Sequence, residues 1–129
     1  MKIRAYQSAD LARLRQLHAQ QGFSYPFPDL DGPLFPVIEV GEESGQVQIA
    51  AALRVTAEAY LLMDGGYGTP KDRWQALLKI HEAVRQKAVE TGFAEVQCFL
   101  PPEVPKSFGR KLKKLGWRHD DWEAYQFNL

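Results

Sequence analysis

The residues with the clearest potential for chemistry form a glycine-rich loop, Asp64-Gly65-Gly66-Tyr67-Gly68. The apolar run Ala59 to Met63 precedes this loop, and the apolar spacing predicts an amphipathic helix over residues 70–90 after it. A strand, a glycine loop and a helix in this order place the loop at a helix N-terminus, where main-chain N–H groups and the helix dipole favour a bound phosphate. The sequence therefore predicts a cofactor site that uses Met63, Gly65, Gly66, Gly68, Lys71 and Arg73.

The start of the same helix also suits a purely structural role. Thr69 is a good N-cap, Pro70 fits the first turn, and Asp72 can complete a capping box. Asp72 would repel a phosphate, and Pro70 lacks an N–H donor. Trp74 and His81 share the apolar face of the helix, which favours a core aromatic and a half-buried histidine over catalytic groups.

Composition indicates an ordinary soluble globular protein. The chain has 129 residues, 45% hydrophobic and 25% charged, with a formal net charge of zero. Zero net charge makes nucleic acid an unlikely partner. A single cysteine and three scattered histidines give no zinc-ligand spacing, so no metal site is predicted. No membrane-spanning stretch and no apolar leader region are present, and we expect a cytoplasmic protein without a membrane partner.

The chain alternates between strand-like and helix-like segments in the order β-α-β-β-β-α-β-α-β. The predicted strands cover 2–6, 37–42, 46–56, 59–63, 94–100 and 122–129, and the predicted helices cover 8–22, 70–90 and 101–115. The turn at 43–45 predicts an antiparallel hairpin, and the long connection from Met63 to Cys98 predicts a parallel crossover. Four prolines exclude a regular helix from residues 23–36. We expect one domain, 1–129, of the α/β or α+β class, with helices on both faces of one mixed sheet.

Three segments of this order resemble the GNAT acyltransferase superfamily, and the resemblance covers nearly the whole chain. Ile3-Arg4-Ala5-Tyr6-Gln7-Ser8-Ala9-Asp10 is similar to the family's opening I-R-x-A-x-x-x-D. The segment from Ala76 to Phe93 resembles the central helix and its exit, and Phe108 to Trp117 resembles the later helix that ends in K-L-G-F. The resemblance implies a GNAT-like fold and an N-acyltransferase that moves an acyl group from acetyl-CoA, or another acyl-CoA, to an unknown amine.

The chain departs from the family at two functional positions. The family holds the pyrophosphate of acetyl-CoA with a Q/R-x-x-G-x-G/A signature, and those three positions here are Thr69, Asp72 and Trp74. The family's frequent acidic tyrosine aligns with Leu112. The catalytic residues therefore remain unknown, although Glu58, Tyr60 and Asp64 lie on or beside the strand before the loop. The alternative is a non-catalytic binding or scaffold domain that kept the fold and lost CoA binding.

Two further segments have open interpretations. A run of basic residues lies on the last helix and just past it, and it is either a solvated face or a functional surface. As a functional surface it would clamp a phosphorylated ligand such as CoA, or make weak contact with nucleic acid. The run comprises Lys106, Arg110, Lys111, Lys113, Lys114 and Arg118. In GNAT-like folds the segment at 23–36 usually borders the acceptor pocket. Its aromatic residues Phe23, Tyr25 and Phe27 line a pocket, form a partner surface such as a homodimer interface, or cap the core.

Overall fold

The computed structural model describes all residues from 1 to 129 and has a mixed α+β architecture. The strands are β1 (Lys2–Ala5), β2 (Val37–Glu43), β3 (Gln46–Leu53), β4 (Ala57–Glu58) and β5 (Val96–Gln97). The helices are α1 (Leu11–Gln21), α2 (Pro70–Thr91) and α3 (Lys106–Lys114), and a 3₁₀ turn at Ser8–Asp10 precedes α1. A serine side chain often caps a helix, but Ser8 does not cap this one. Instead the Asp10 carboxylate accepts the Gln7 N–H at 2.9 Å, and Ser8 donates to Asp31.

The N-terminal half forms an antiparallel sheet in the order β1-β2-β3. The predicted hairpin between β2 and β3 is confirmed, because Ser44 and Gly45 take the left-handed conformation that a two-residue hairpin turn requires. Helix α1 covers one face of this sheet. The buried core lies between them and consists of Leu14, Leu30, Val40 and Val47.

The predicted parallel crossover is present, but its strands are much shorter than expected. Ala57 and Glu58 pair with Val96 and Gln97 in parallel, and one further bond joins the Ala59 N–H to the Gln97 carbonyl. The strand predicted at 59–63 is therefore wrong, since none of its residues lies in a strand, and the strand predicted at 94–100 is confirmed only at Val96 and Gln97; β4 and β5 have two residues each. Each has only one neighbour, so no second ladder extends the pairing, and Leu62 is left 95% exposed.

Two larger features of the predicted architecture are also not found. The strands form two separate sheets, of three and two strands, in place of one mixed sheet. Residues 122–129 form no strand although their apolar residues alternate. Tyr125 and Phe127 in this segment are 91% and 86% exposed. Alternation alone does not make a strand, because its N–H and C=O groups need an adjacent edge to pair with.

The two later helices form where apolar spacing and end signals agree. Helix α2 covers 70–91 against the predicted 70–90, with a capping box at Thr69 and a left-handed Gly92 at its end. Helix α3 begins at Lys106, later than the predicted residue 101, because three prolines at 101, 102 and 105 leave the preceding turn irregular. None of the helices has the length and apolar character needed to cross a membrane.

A large apolar surface is left uncovered. The sheet face opposite α1 presents Ile3, Val37, Ile49 and Leu53, which are 63%, 42%, 56% and 65% exposed, and we call it the open sheet face. The second half of α2 is also exposed, with Val84 at 50%. The total accessible surface is 10636 Å², against about 6,900 Å² for a typical folded monomer of 14.7 kDa. The chain therefore has apolar area available for further contacts.

Candidate functional site

The glycine loop is closed by its own hydrogen bonds. The Asp64 side chain accepts the Gly66 N–H at 2.8 Å, and the Asp64 carbonyl accepts the Tyr67 N–H at 3.1 Å. Gly68 has a φ of +50°, and a β-carbon there would lie 2.8 Å from the Asp72 side chain. Gly68 therefore serves a tight turn into α2, in which the Asp72 carboxylate occupies the space beside the backbone.

The start of α2 is occupied by the capping box. The Asp72 carboxylate accepts both the N–H and the hydroxyl of Thr69 at 2.8 Å, and the Asp72 N–H donates to the Thr69 hydroxyl oxygen at 3.2 Å. The hydrogen bond from the Thr69 N–H lowers the pKa of Asp72, and the hydroxyl contact adds to this effect. The Asp72 carboxylate is thus held ionised beside the helix N-terminus, where its charge would repel a phosphate, and the N–H groups of Thr69 and Asp72 are already used by these contacts.

Arg73 is the one predicted site residue that contacts the loop with its side chain. Its Nη1 donates to the carbonyls of Tyr67 and Gly68, both at 3.0 Å. Its Nε and Nη2 groups make no hydrogen bond with the protein. Together they carry three of the five N–H donors of the guanidinium, and these three are free. Arg73 can therefore fix the loop and still bind an anion.

A small cleft of about 90 Å³ lies between the start of α2 and helix α3. We call it the cation cleft, because Arg73 and Lys111 line it from opposite helices. Its other walls are Met63, Pro70, Trp74, Leu77 and Phe108. The structure thus brings the predicted Met63 and Arg73 together. Gly65, Gly66, Gly68 and Lys71 do not line the cleft.

Lys111 joins the site from the basic run on α3. It forms no salt bridge, and neither do the other five basic residues of that run, all of which are exposed. The sequence marked the run as a possible clamp, but it could not single out Lys111. Only the packing of α3 against α2 separates this lysine from its neighbours.

His81 on α2 contacts Trp117, which follows the end of α3. The indole N–H of Trp117 donates to His81 Nε2 at 2.9 Å. Because an indole N–H can only donate, His81 Nε2 is the acceptor in this hydrogen bond. This geometry matches the interpretation of His81 as a half-buried, satisfied histidine.

The candidate bases before the loop are not positioned in the cation cleft. Glu58 lies on β4, and its carboxylate raises the pKa of the neighbouring Tyr60. Tyr60 is 80% exposed, and Asp64 is held in the loop turn. None of the three lines the cleft, and we assign no catalytic base. No group of histidine, cysteine and acidic residues is arranged to hold a metal ion.

The aromatic loop borders a different and larger space. Tyr25 and Phe27 line a cavity of about 400 Å³ between α1 and β3, which we call the α1–β3 cavity. Phe27 also packs against the core, whereas Phe23 stacks on Tyr25 and is 50% exposed. Met63 does not line this cavity, so the aromatic loop and the glycine loop border different spaces.

Comparison of the chain with protein-family models, with curated proteins and with solved structures finds no match.

Proposed function

We propose that the chain is an N-acyltransferase in which side chains, not a glycine nest, hold the phosphates of an acyl-CoA. The observation that supports this most directly is the pair of cations in the cation cleft. Arg73 has free Nε and Nη2 donors, Lys111 has no counter-ion, and both line a cleft at the start of α2. Guanidinium and ammonium groups are the side chains that bind phosphate oxygens most strongly.

The segment between β4 and the loop supports the same proposal. The main-chain N–H groups of residues 60–63 donate no hydrogen bond to the protein. Met63 ends this segment and lines the cation cleft. An extended ligand with amide groups can therefore pair with this backbone while its phosphates lie near the cations, which is how the pantetheine arm of CoA would run.

The reaction would be direct transfer. A neutral amine attacks the thioester carbonyl, the C–N bond forms as the C–S bond breaks, and the departing thiolate takes up the proton that the amine releases. The unpaired N–H groups of residues 60–63 could stabilise the developing oxyanion. The amine acceptor is unknown, and we assign no side chain to proton transfer.

One observation favours the second candidate, a non-catalytic binding domain. The N–H donors and the dipole at the start of α2 already serve Thr69 and Asp72. If Arg73 and Lys111 do not attract the phosphates strongly enough, the Asp72 carboxylate prevents CoA from binding. The fold then serves only as a scaffold.

Calorimetry with CoA and acetyl-CoA distinguishes the candidates. For the acyltransferase we expect saturable binding, weakened about tenfold by Lys111→Ala, the loss of one charge-assisted contact. Lys79→Ala is the matched control, because Lys79 is an exposed lysine on α2 outside the cleft. Release of free thiol from acetyl-CoA, measured with a panel of primary amines, then tests turnover.

Absence of saturable binding at millimolar CoA contradicts the acyltransferase proposal. In that case the blocked-site alternative makes its own prediction: replacing Asp72 and Trp74 with glycine should restore CoA binding. Glycine at the exposed positions Gln75 and Lys79 controls for the weakened helix. If neither pair of glycine substitutions restores CoA binding, the cation cleft is not a CoA site.

A further inference from the structure

The α1–β3 cavity has the dimensions of a small-molecule site. Its volume of about 400 Å³ lies within the range of about 300–1,000 Å³ that is typical of ligand pockets. Ala50 and Ala52 on β3, which pair with the core-side residues Val40 and Ile38, form part of its wall. Their small side chains leave room that a leucine or isoleucine at the same positions would fill. The cavity shares no residue with the cation cleft.

Every residue that lines this cavity is uncharged at neutral pH, if histidine is counted as neutral. The residues are Leu14, Leu17, His18, Gln20, Gln21, Tyr25, Phe27, Pro28, Leu30, Ile38, Gln48, Ile49, Ala50, Ala51 and Ala52. An ammonium or phosphate group would find no counter-ion among these residues. The lining therefore selects a neutral ligand, which sets this cavity apart from a site for a protonated amine or for CoA phosphates.

His18 is the residue of the cavity lining whose side chain has a buried polar atom without a partner. Its Nε2 is buried and has no hydrogen-bond partner in the protein. The imidazole is held by the edges of Tyr25 and Phe27, with ring centroids 5.0 and 5.6 Å away. A buried nitrogen without a partner has lost its hydrogen bond to water and gained none in return, which is unfavourable. A ligand that hydrogen-bonds to Nε2 would replace the lost hydrogen bond.

From these three observations we propose that the α1–β3 cavity binds a small, neutral, phenol-type molecule, with its hydroxyl on His18 Nε2 and its ring against Tyr25 and the alanine wall. A hydroxyl both donates and accepts, so it satisfies Nε2 in either neutral tautomer. An aromatic body fits because neighbouring rings favour edge-to-face contacts with a planar guest. This inference goes beyond acyl transfer and does not depend on it.

The experiment compares phenol with toluene, a molecule of similar shape that lacks the hydroxyl. Both are titrated into the ¹⁵N-labelled protein and followed by amide chemical shifts. We expect saturable binding of phenol, with shifts confined to α1, the 23–36 loop and β3. His18→Leu should weaken phenol about tenfold, equivalent to about 1.4 kcal/mol, and change toluene less than twofold.

A second variant tests the cavity independently of His18. Ala50→Leu should fill the space and abolish binding of both probes, whereas Ala83→Leu makes the same change on the exposed surface of α2 and should leave binding intact. Ala52→Val gives a smaller filling and replaces Ala50→Leu if that protein does not fold. The proposal is wrong if phenol does not bind at saturating millimolar concentration. It is also wrong if His18→Leu changes phenol and toluene equally, or if neither filled variant affects binding.

Discussion

The ion pair between Arg4 and Asp10 ties β1 to the start of α1, and its removal should destabilise the fold in a pH-dependent way. Arg4 Nη1 and Nη2 bind the two Asp10 carboxylate oxygens at 2.8 and 2.9 Å, while Arg4 Nε binds Glu42. The Asp10 residue is only 9% exposed. The Arg4 guanidinium, with help from the Gln7 N–H, lowers the pKa of Asp10 from 3.8 to about 2.

The expected magnitude follows from this pKa. A change from 3.8 to about 2 corresponds to roughly 2.4 kcal/mol of stability, at about 1.4 kcal/mol per tenfold change in proton affinity. The Arg4 side chain is 22% exposed, so solvent screening reduces the effect, and we expect about 1.5–2 kcal/mol for Asp10→Asn. For a domain of this size the melting temperature at pH 7 should fall by about 5–10 °C.

The pH dependence gives the sharper test. A carboxyl whose folded pKa is lowered contributes its full stability above its unfolded pKa of 3.8 and loses it as the pH falls toward 2. Urea unfolding at several pH values between 2 and 7 should therefore show the wild type and Asp10→Asn converging at low pH. Glu39→Gln, an exposed carboxylate on β2, is the control and should show no such convergence. A difference that stays constant from pH 2 to 7 would refute the reasoning.

Other perturbations test the start of α2, the contact between His81 and Trp117, and the open surface. Thr69→Ala should lower the free energy of unfolding in urea by about 1 kcal/mol. Thr69→Ser should lower it much less, because serine keeps the hydroxyl that accepts the Asp72 N–H. Equal losses of stability in the two variants would contradict the role of the hydroxyl. Trp117→Phe removes the N–H donated to His81 and should cost about 1 kcal/mol, whereas Trp122→Phe, at a ring that is 68% exposed, should cost little. Light scattering should report a mass near twice 14.7 kDa, since a homodimer would bury the open sheet face and the exposed half of α2. A monomer with a radius of gyration of about 14 Å would contradict it.

Local signals in the sequence predicted the local structure well. The capping box at Thr69 and the left-handed Gly92 fixed the bounds of α2 within one residue, because helix ends depend on nearby side chains. The hairpin between β2 and β3 was likewise encoded by its turn residues and by alternation. The opening Arg4 and Asp10 were noticed only as a family resemblance, and the structure supplies their physical role as an ion pair.

The failures concern partners that are distant in the chain. The strands at 59–63 and 122–129 were predicted from β-type residues, but a strand forms only where a neighbouring strand completes its hydrogen bonds. Arg73 and Lys111 are 38 positions apart in the chain but line the same cleft. The approach of α3 to α2 that brings them there cannot be derived from the apolar periodicity of either helix. The unpaired His18 nitrogen is also invisible in the sequence, because its burial depends on the packing of Tyr25 and Phe27 against the ring.

The position of the core along the chain has a consequence for synthesis on the ribosome. Its four buried residues all lie between positions 14 and 47, and the sheet that encloses them is complete at Leu53. At a synthesis rate of about 5–20 residues per second, residues 1–53 would be fully translated several seconds before residue 129 is added. The N-terminal unit can therefore fold while the ribosome is still adding α2 and α3. During that interval its open sheet face is exposed, and a nascent-chain chaperone could bind there before any later helix or second copy does.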